Sequence, residues 1–396
     1  MSDSARPSLA SGTAKRARGD VAVDVFRGVV VVMMFAVHAR RIQTGRGEAP
    51  LEGAADASLR FLMRVEPYIA ASFLYLVGYS LVLSWSAAAA RTDDLALLKR
   101  RWKARMLRRA GWLYLLSVGL CLPQFGLQWP ATFVSSGILS VIAAAIVVCT
   151  LLVSSSGVRR FAWPSCTLVL LVTSALHFAR LGVSGLNAGP GGAFPLLAAS
   201  LFGLVSSPNL VHTSSSAPRW SSKAGGPLAA PALRSPWAVV CLMLAGGELW
   251  RSGWDAPWTD TFVSNYRDYH GLAAVYWLEH GPSLPSTWVA TGFWNHTTLG
   301  LIGCVLAIWF THQLLHALFN PRAEARAIIP YKPIMLTALG EHALVAYITH
   351  LIALGLVEML GLAPASSLGT WCLVALLVFV SLALAPLVNR RFRRRL

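Results

Sequence analysis

The chain has 396 residues, 55% of them hydrophobic and only 13% charged, with a net charge of +17. A soluble domain is about one quarter charged, so this composition argues against a water-soluble globule. It also argues against a nucleic-acid binder, because the Lys and Arg residues sit in short clusters between long apolar runs, as in membrane-protein loops that face anionic lipid.

A spanning helix needs about 20 mostly apolar residues. In chain order, such runs lie near 21–39, 67–90, 106–122, 132–153, 162–181, 193–207, 236–250, 288–310, 334–360 and 368–388. They predict an all-α fold, a polytopic transmembrane helix bundle of about ten spans with both termini cytoplasmic. The expected layout is a basic tail over 1–20, a membrane domain over 21–390 and a second basic tail over 391–396. Lys15, Arg16 and Arg18 precede a first run that carries Asp24 and Arg27, which suits a retained helix better than a cleaved leader. With the N-terminus inside, the inner segments hold 25 of the 34 Lys and Arg residues. That is the bias of the positive-inside rule, and an odd number of spans would spoil it. A multi-pass protein of the cell membrane is the expectation, with lipid as its surroundings.

Two connecting segments differ from the rest. Residues 208–235 are rich in Ser, Pro, Gly and Ala and read as a flexible inner linker. Residues 251–287 interleave Trp254, Trp258, Tyr266, Tyr269, Tyr276 and Trp277 with Asp255, Asp260, Asp268 and Glu279. Aromatics beside carboxylates suit a platform for sugar rings, and equally an interfacial aromatic belt. The six cysteines lie in or beside apolar runs without a metal-like spacing and read as packing residues.

Ionisable groups inside spans are unfavourable, so each is a functional candidate. Arg27 and His38 are eleven residues apart. At about 100° per residue they return to within roughly 20° of each other on one helix face, separated by about 16 Å of rise. The bland alternative is that both side chains snorkel to opposite interfaces. Arg105, Arg108 and Arg109 open the third run. An i,i+3 arginine pair suits phosphate oxygens, although a plain positive flank explains the spacing more simply. Polar groups recur at Ser72, Tyr75, Tyr79 and Ser80, at Asn295 and His296, and at Glu341, His342, Tyr347 and His350. In the ten-span layout His38, His296 and His350 share a depth and could converge on one outer-half cavity. His312 and His316 stand at i,i+4 with no third ligand in the pattern, so no metal is expected.

Several strings resemble a known family. Asp24-Val-Phe-Arg27-Gly28 followed by His38 is similar to the Arg–ten residues–His signature of membrane acyltransferases of the acyltransferase-three superfamily. Phe73-Leu-Tyr-Leu-Val-Gly78-Tyr79-Ser80 resembles that superfamily's "FLSGYS" stretch, and Arg105-x-x-Arg108 its paired-arginine motif. Gly137-Ile-Leu-Ser-Val-Ile142, Gly192-Ala-Phe194-Pro195-Leu-Leu and Gly340-Glu-His-Ala-Leu-Val-Ala-Tyr347-Ile-Thr-His350 are similar to "GILQxIG", "FPLLPW" and "GrnSLxxYxxH" of the branch related to heparan-α-glucosaminide N-acetyltransferase. Ala343 departs from the usual Ser, and Ala198-Ala199 from the usual Pro-Trp.

The resemblance implies transfer of an acyl group, most simply acetyl, from cytoplasmic acyl-CoA to a hydroxyl or amine of a glycan-like acceptor at the outer side. It implies His38 as catalytic histidine, with Arg27, Arg105 and Arg108 near the CoA phosphates and Arg109 adjoining them. His350, with Tyr347 three residues before it, is the competing catalytic candidate. Tyr79, Asn295 and His296 are the expected acceptor-binding groups. An imidazole whose unperturbed pKa is about 6.5 can take the acceptor's proton as the new bond forms. The alternatives are a transporter with an intramembrane histidine pathway, for which glycine- or proline-broken helices in matching halves would speak, and a structural membrane component.

Overall fold

The computed structural model describes residues 20–44, 54–64, 66–92, 94–125, 127, 131–134, 136–155, 158–178, 194, 196–207, 298–319 and 333–392. The expected linker 208–235, the run 236–250, the aromatic segment 251–287 and most of both basic tails lie outside these residues.

All secondary structure in the described residues is helical. In chain order the helices are α1 Val21–Thr44, α2 Ala54–Arg64, α3 Glu66–Ala89, α4 Leu95–Phe125, α5 Ala131–Val134, α6 Ile138–Val153, α7 Val158–Phe178, α8 Leu196–Ser206, α9 Thr298–Phe319, α10 Ile334–Glu341, α11 Ala343–Met359 and α12 Ser367–Phe392. Side chains outside the helices start two of them. The Asp20 carboxylate accepts from the Ala22 N–H at 3.1 Å, and the Asp94 carboxylate from the Leu97 N–H at 2.9 Å. Each satisfies a first-turn donor that has no partner within the helix. Gly361, at φ 72°, ends α11, with the Leu362 N–H reaching the Val357 carbonyl and the Gly361 N–H that of Glu358. This is a Schellman closure, and glycine suits its left-handed turn.

Val21–Arg40, Tyr68–Ala89, Ile302–Phe319 and Ser367–Pro386 are each long and apolar enough to cross a membrane. The expected run 334–360 is two helices, α10 and α11, meeting at 87°, and together they make a fifth crossing if counted as one. Of the run near 288–310, the described part belongs to a helix over Thr298–Phe319, which continues past the expected end. Ile138–Val153, Phe161–Thr173 and Leu196–Ser206 are apolar but shorter, so among the described residues the length test supports four or five crossings of the ten expected. Helix α4 has 31 residues, about 46 Å at 1.5 Å per residue. That exceeds a hydrocarbon core of about 30 Å, so its basic N-terminal turns, Lys99 to Arg109, reach beyond the apolar C-terminal part.

The centre of the bundle is α1, which packs against α2, α3, α9, α10, α11 and α12. Two helix pairs, α1 with α10 and α3 with α8, approach closely at glycines. A Cβ on Gly28 would lie 2.0 Å from the Leu336 carbonyl oxygen, and one on Gly340 would lie 1.8 Å from that of Asp24. The pairings 28–336 and 24–340 run α10 antiparallel to α1. Gly78 and Gly203 likewise meet the Ser200 and Tyr75 carbonyl oxygens, at 1.8 and 2.0 Å from a built Cβ, and run α8 antiparallel to α3. Lipid tails are as apolar as leucine, so helices in membranes associate through packing, and small residues let the backbones approach. Cys121, Cys149, Cys166 and Cys304 are buried and Cys372 is exposed.

Candidate active site

Helix periodicity turns Arg27 and His38 to the same side of α1, where Arg27 meets α3 and α10 and His38 meets α11. At the N-terminal end, Arg27 Nη1 donates to the Asp24 carboxylate and to the Gly340 carbonyl, both at 3.2 Å, and Nη2 donates to Ser80 Oγ at 3.0 Å. The close approach of α10 at Gly340 is what brings that carbonyl within reach. Arg27 thus ties α1 to α3 and α10.

At the other end, His38 Nδ1 lies 2.9 Å from His350 Nε2, with the rings stacked at 5.1 Å between centroids. The bend between α10 and α11 makes this possible: α10 follows α1 towards its N-terminus, and beyond the turn α11 carries Tyr347 and His350 to the C-terminal half of α1. His350 is fully buried, packed by the Phe35 ring at 4.9 Å and the Tyr347 ring at 5.3 Å. Its Nδ1 is 3.3 Å from the Ala346 carbonyl.

Beside the pair lies a cavity of about 150 Å³ lined by five helices. Met34, Val37 and His38 line it from α1, Phe73 and Val77 with Ile69 and Ala70 from α3, and Arg109 and Leu113 from α4. Ile138, Leu139, Ile142 and Ile146 contribute from α6, and Ala343, Leu344 and Tyr347 from the start of α11. The polar lining is confined to Arg109, His38 and Tyr347, and His350 stands behind His38 rather than on the wall. The position of α6 depends on Gly137, whose φ of 123° favours glycine. Its neighbour Ser136 is fixed to Ser117 of α4 at 3.0 Å.

The candidate residues therefore divide. His38, His350 and Tyr347 are together. Arg105, Arg108 and Arg109 are all exposed along α4, and of the three Arg109 alone is on the cavity wall. Tyr79 is buried on the opposite side of α3, edge-on to His312 at 4.5 Å. Asn295 and His296 lie outside the described residues. A second polar cluster surrounds Tyr79: the Tyr75 hydroxyl is 3.0 Å from His312 Nδ1 and 3.0 Å from Ser206 Oγ, and His316 Nε2 is 3.9 Å from the Asp20 carboxylate. The i,i+4 histidines signalled this cluster, but the sequence had nothing to say which helix they would face. No group of three His, Cys, Asp or Glu side chains among the described residues is arranged to hold a metal.

The family model described as heparan-alpha-glucosaminide N-acetyltransferase, catalytic, matches residues 20–233. That stretch covers α1 to α8 and includes Arg27, His38 and the α4 arginines, while α9 to α12 lie beyond it. A search of curated proteins returned no match.

Proposed function

Since the chain belongs to the heparan-alpha-glucosaminide N-acetyltransferase catalytic family, a membrane acetyltransferase family, we propose that it transfers an acyl group, most simply acetyl, from cytoplasmic acyl-CoA to a hydroxyl or amine of a glycan-like acceptor at the outer side. One observation carries this reading. Residues from four separate family-like strings line a single cavity: His38 from the first, Phe73 and Val77 from the second, Ile138, Leu139 and Ile142 from a third, and Ala343, Leu344 and Tyr347 from a fourth.

In the proposed reaction the donor's phosphates rest on the basic turns of α4, where Arg105, Arg108 and Arg109 follow one another. Guanidinium groups bind phosphate oxygens in pairs of hydrogen bonds. The thioester arm extends from Arg109 into the cavity towards His38. The acceptor O–H or N–H gives its proton to His38 as its heavy atom bonds the thioester carbonyl carbon. The carbon–sulfur bond then breaks, and the imidazolium returns the proton to the departing thiolate, so the products are acylated acceptor and free CoA. A positioned base of this kind contributes on the order of 10²–10⁴-fold.

The test is release of CoA thiol from acetyl-CoA by the purified protein in nanodiscs, with and without a panel of amino sugars and hydroxylated sugars. Stimulation by a sugar, with the acetyl group recovered on it, is the expected result. No release under any condition, with folded protein present, would remove the enzymatic reading. A permease is the competing reading, favoured by the 87° break between α10 and α11, since transporter sites use interrupted helices. It requires sugar uptake into proteoliposomes without acyl-CoA.

A further inference from the structure

We propose that His350 is a positioning residue which fixes the tautomer of His38, so that the lone pair of the catalytic imidazole sits on Nε2; this rests on the acyl-transfer reading above. The argument begins at a backbone atom. A carbonyl oxygen only accepts, so across the 3.3 Å contact between His350 Nδ1 and the Ala346 carbonyl the proton is on Nδ1. A neutral imidazole carries one N–H, which makes His350 Nε2 an acceptor. His38 Nδ1, 2.9 Å away, must then be the donor. With its proton on Nδ1, neutral His38 has its basic lone pair on Nε2. The direction of every hydrogen in this chain is thus set by the main chain of α11.

The same contacts separate the two candidate bases. Both nitrogens of His350 are engaged, the residue is fully buried, and it is absent from the cavity wall, whereas His38 is on that wall. His350 can accept no acceptor proton without giving up its bond to His38. It can also steady the imidazolium only through a neutral acceptor, which favours prompt return of the proton to the thiolate. The rings of Phe35 and Tyr347 pack His350 on two sides and hold its plane stacked on His38. An acceptor fixed behind a catalytic imidazole selects its tautomer, and losing that selection is severe even when the side chains stay in place.

The experiment reads the tautomer directly. Protein labelled with ¹⁵N-histidine is placed in nanodiscs, and the His38 nitrogens are assigned by comparison with His38→Ala. The expected spectrum shows His38 protonated at Nδ1. His350→Phe keeps a ring in the packed site but removes the acceptor, and should move the proton of His38 to Nε2, the usual form of an unconstrained imidazole. His350→Gln places an amide oxygen near the former Nε2, and should hold the Nδ1–H form. Acetyl-CoA turnover should fall on the order of 10²-fold in His350→Phe with KM for acetyl-CoA unchanged, and should recover most of its rate in His350→Gln. Wild-type His38 protonated at Nε2, or an unchanged tautomer in His350→Phe, would overturn the proposal. Equal loss of rate in both variants would overturn it as well, by making His350 indispensable in itself. Wild-type protein that turns over no acetyl-CoA would sink the acyl-transfer reading, while the nitrogen shifts would still decide the hydrogen-bond assignment.

Discussion

A guanidinium that donates to a carboxylate, a carbonyl and a hydroxyl of its own chain behaves differently from one on a cavity wall. Arg27 is of the first kind and Arg109 of the second. Arg27→Ala removes one donor each from Asp24, Ser80 and the Gly340 carbonyl. It should destabilise the bundle by about 1–3 kcal/mol, seen as lower membrane yield and an earlier thermal transition in detergent. Arg109→Ala should leave yield unchanged and weaken acetyl-CoA binding by about 10- to 100-fold, since a hydrogen bond to a charged group is worth about 1.5–3 kcal/mol. Arg108→Ala should act in the same direction, through charge at the donor's mouth. Unchanged donor affinity in both would return the α4 arginines to a topological role. For His38→Ala, turnover should fall by about 10²–10⁴-fold while donor binding persists. Its residual rate should lose the acid-side decline that protonation of the imidazole imposes on the native enzyme. Near-normal turnover with intact yield would move the chemistry elsewhere. At this scale the spacing of Arg27 and His38 was legible, because it depends only on the pitch of one helix. Shared depth in the ten-span layout already set His350 among the groups that could converge with His38, but their direct contact across 312 positions was not legible, because no local pattern records which helix will face which.

Among the elements, the glycines mark where backbones touch. Gly28→Ala and Gly203→Ala each force a methyl group onto a main-chain oxygen, and overpacking of this kind costs about 1–3 kcal/mol. Gly111→Ala is the control: nothing lies within 4 Å of its built Cβ, and alanine favours the helix by roughly 1 kcal/mol. Thermal unfolding monitored by tryptophan fluorescence should rank Gly111→Ala at or above the native protein and the other two well below it. A ranking with all three alike would mean that the close crossings do not hold the bundle. The broken helix was hidden from the sequence for a related reason. Residues 334–360 are apolar almost throughout, so periodicity reads one span. The turn at Glu341–His342 adjoins the approach of Gly340 to α1, a tertiary contact that no local pattern records. Helix α4 shows the converse. Its apolar half was read as a span and its basic half as a loop, yet the two are one continuous helix.

For the molecule as a whole, composition settled the class, since 55% apolar residues demand a non-aqueous surround, and the bundle is helical because only helices and closed barrels satisfy every backbone group in lipid. Sidedness is proposed from the charge bias. With both termini inside, reporter fusions at residues 125 and 364 should read external and a fusion at residue 92 internal; an external signal at 92 would invert the arrangement of donor and acceptor. The site was only half legible for a topological reason. Its walls come from α1, α3, α4, α6 and α11, which are distant along the chain: α3 and α11 pack on α1, and α4 and α6 pack on α3.

The crossings at Gly28 and Gly340 also bear on how such a chain can change over generations. Where two side chains collide, a mutation on one partner can be answered by a smaller residue on the other. Here the opposing group is a main-chain carbonyl, of Leu336 in one case and of Asp24 in the other, and every amino acid carries the same oxygen. No compensating substitution exists, so these positions tolerate drift only if the path of a whole helix shifts. Because that path also delivers the Gly340 carbonyl to Arg27 and His350 to His38, two segments more than three hundred residues apart are bound to a common inheritance, and variation is pushed out to the faces of the bundle that touch lipid.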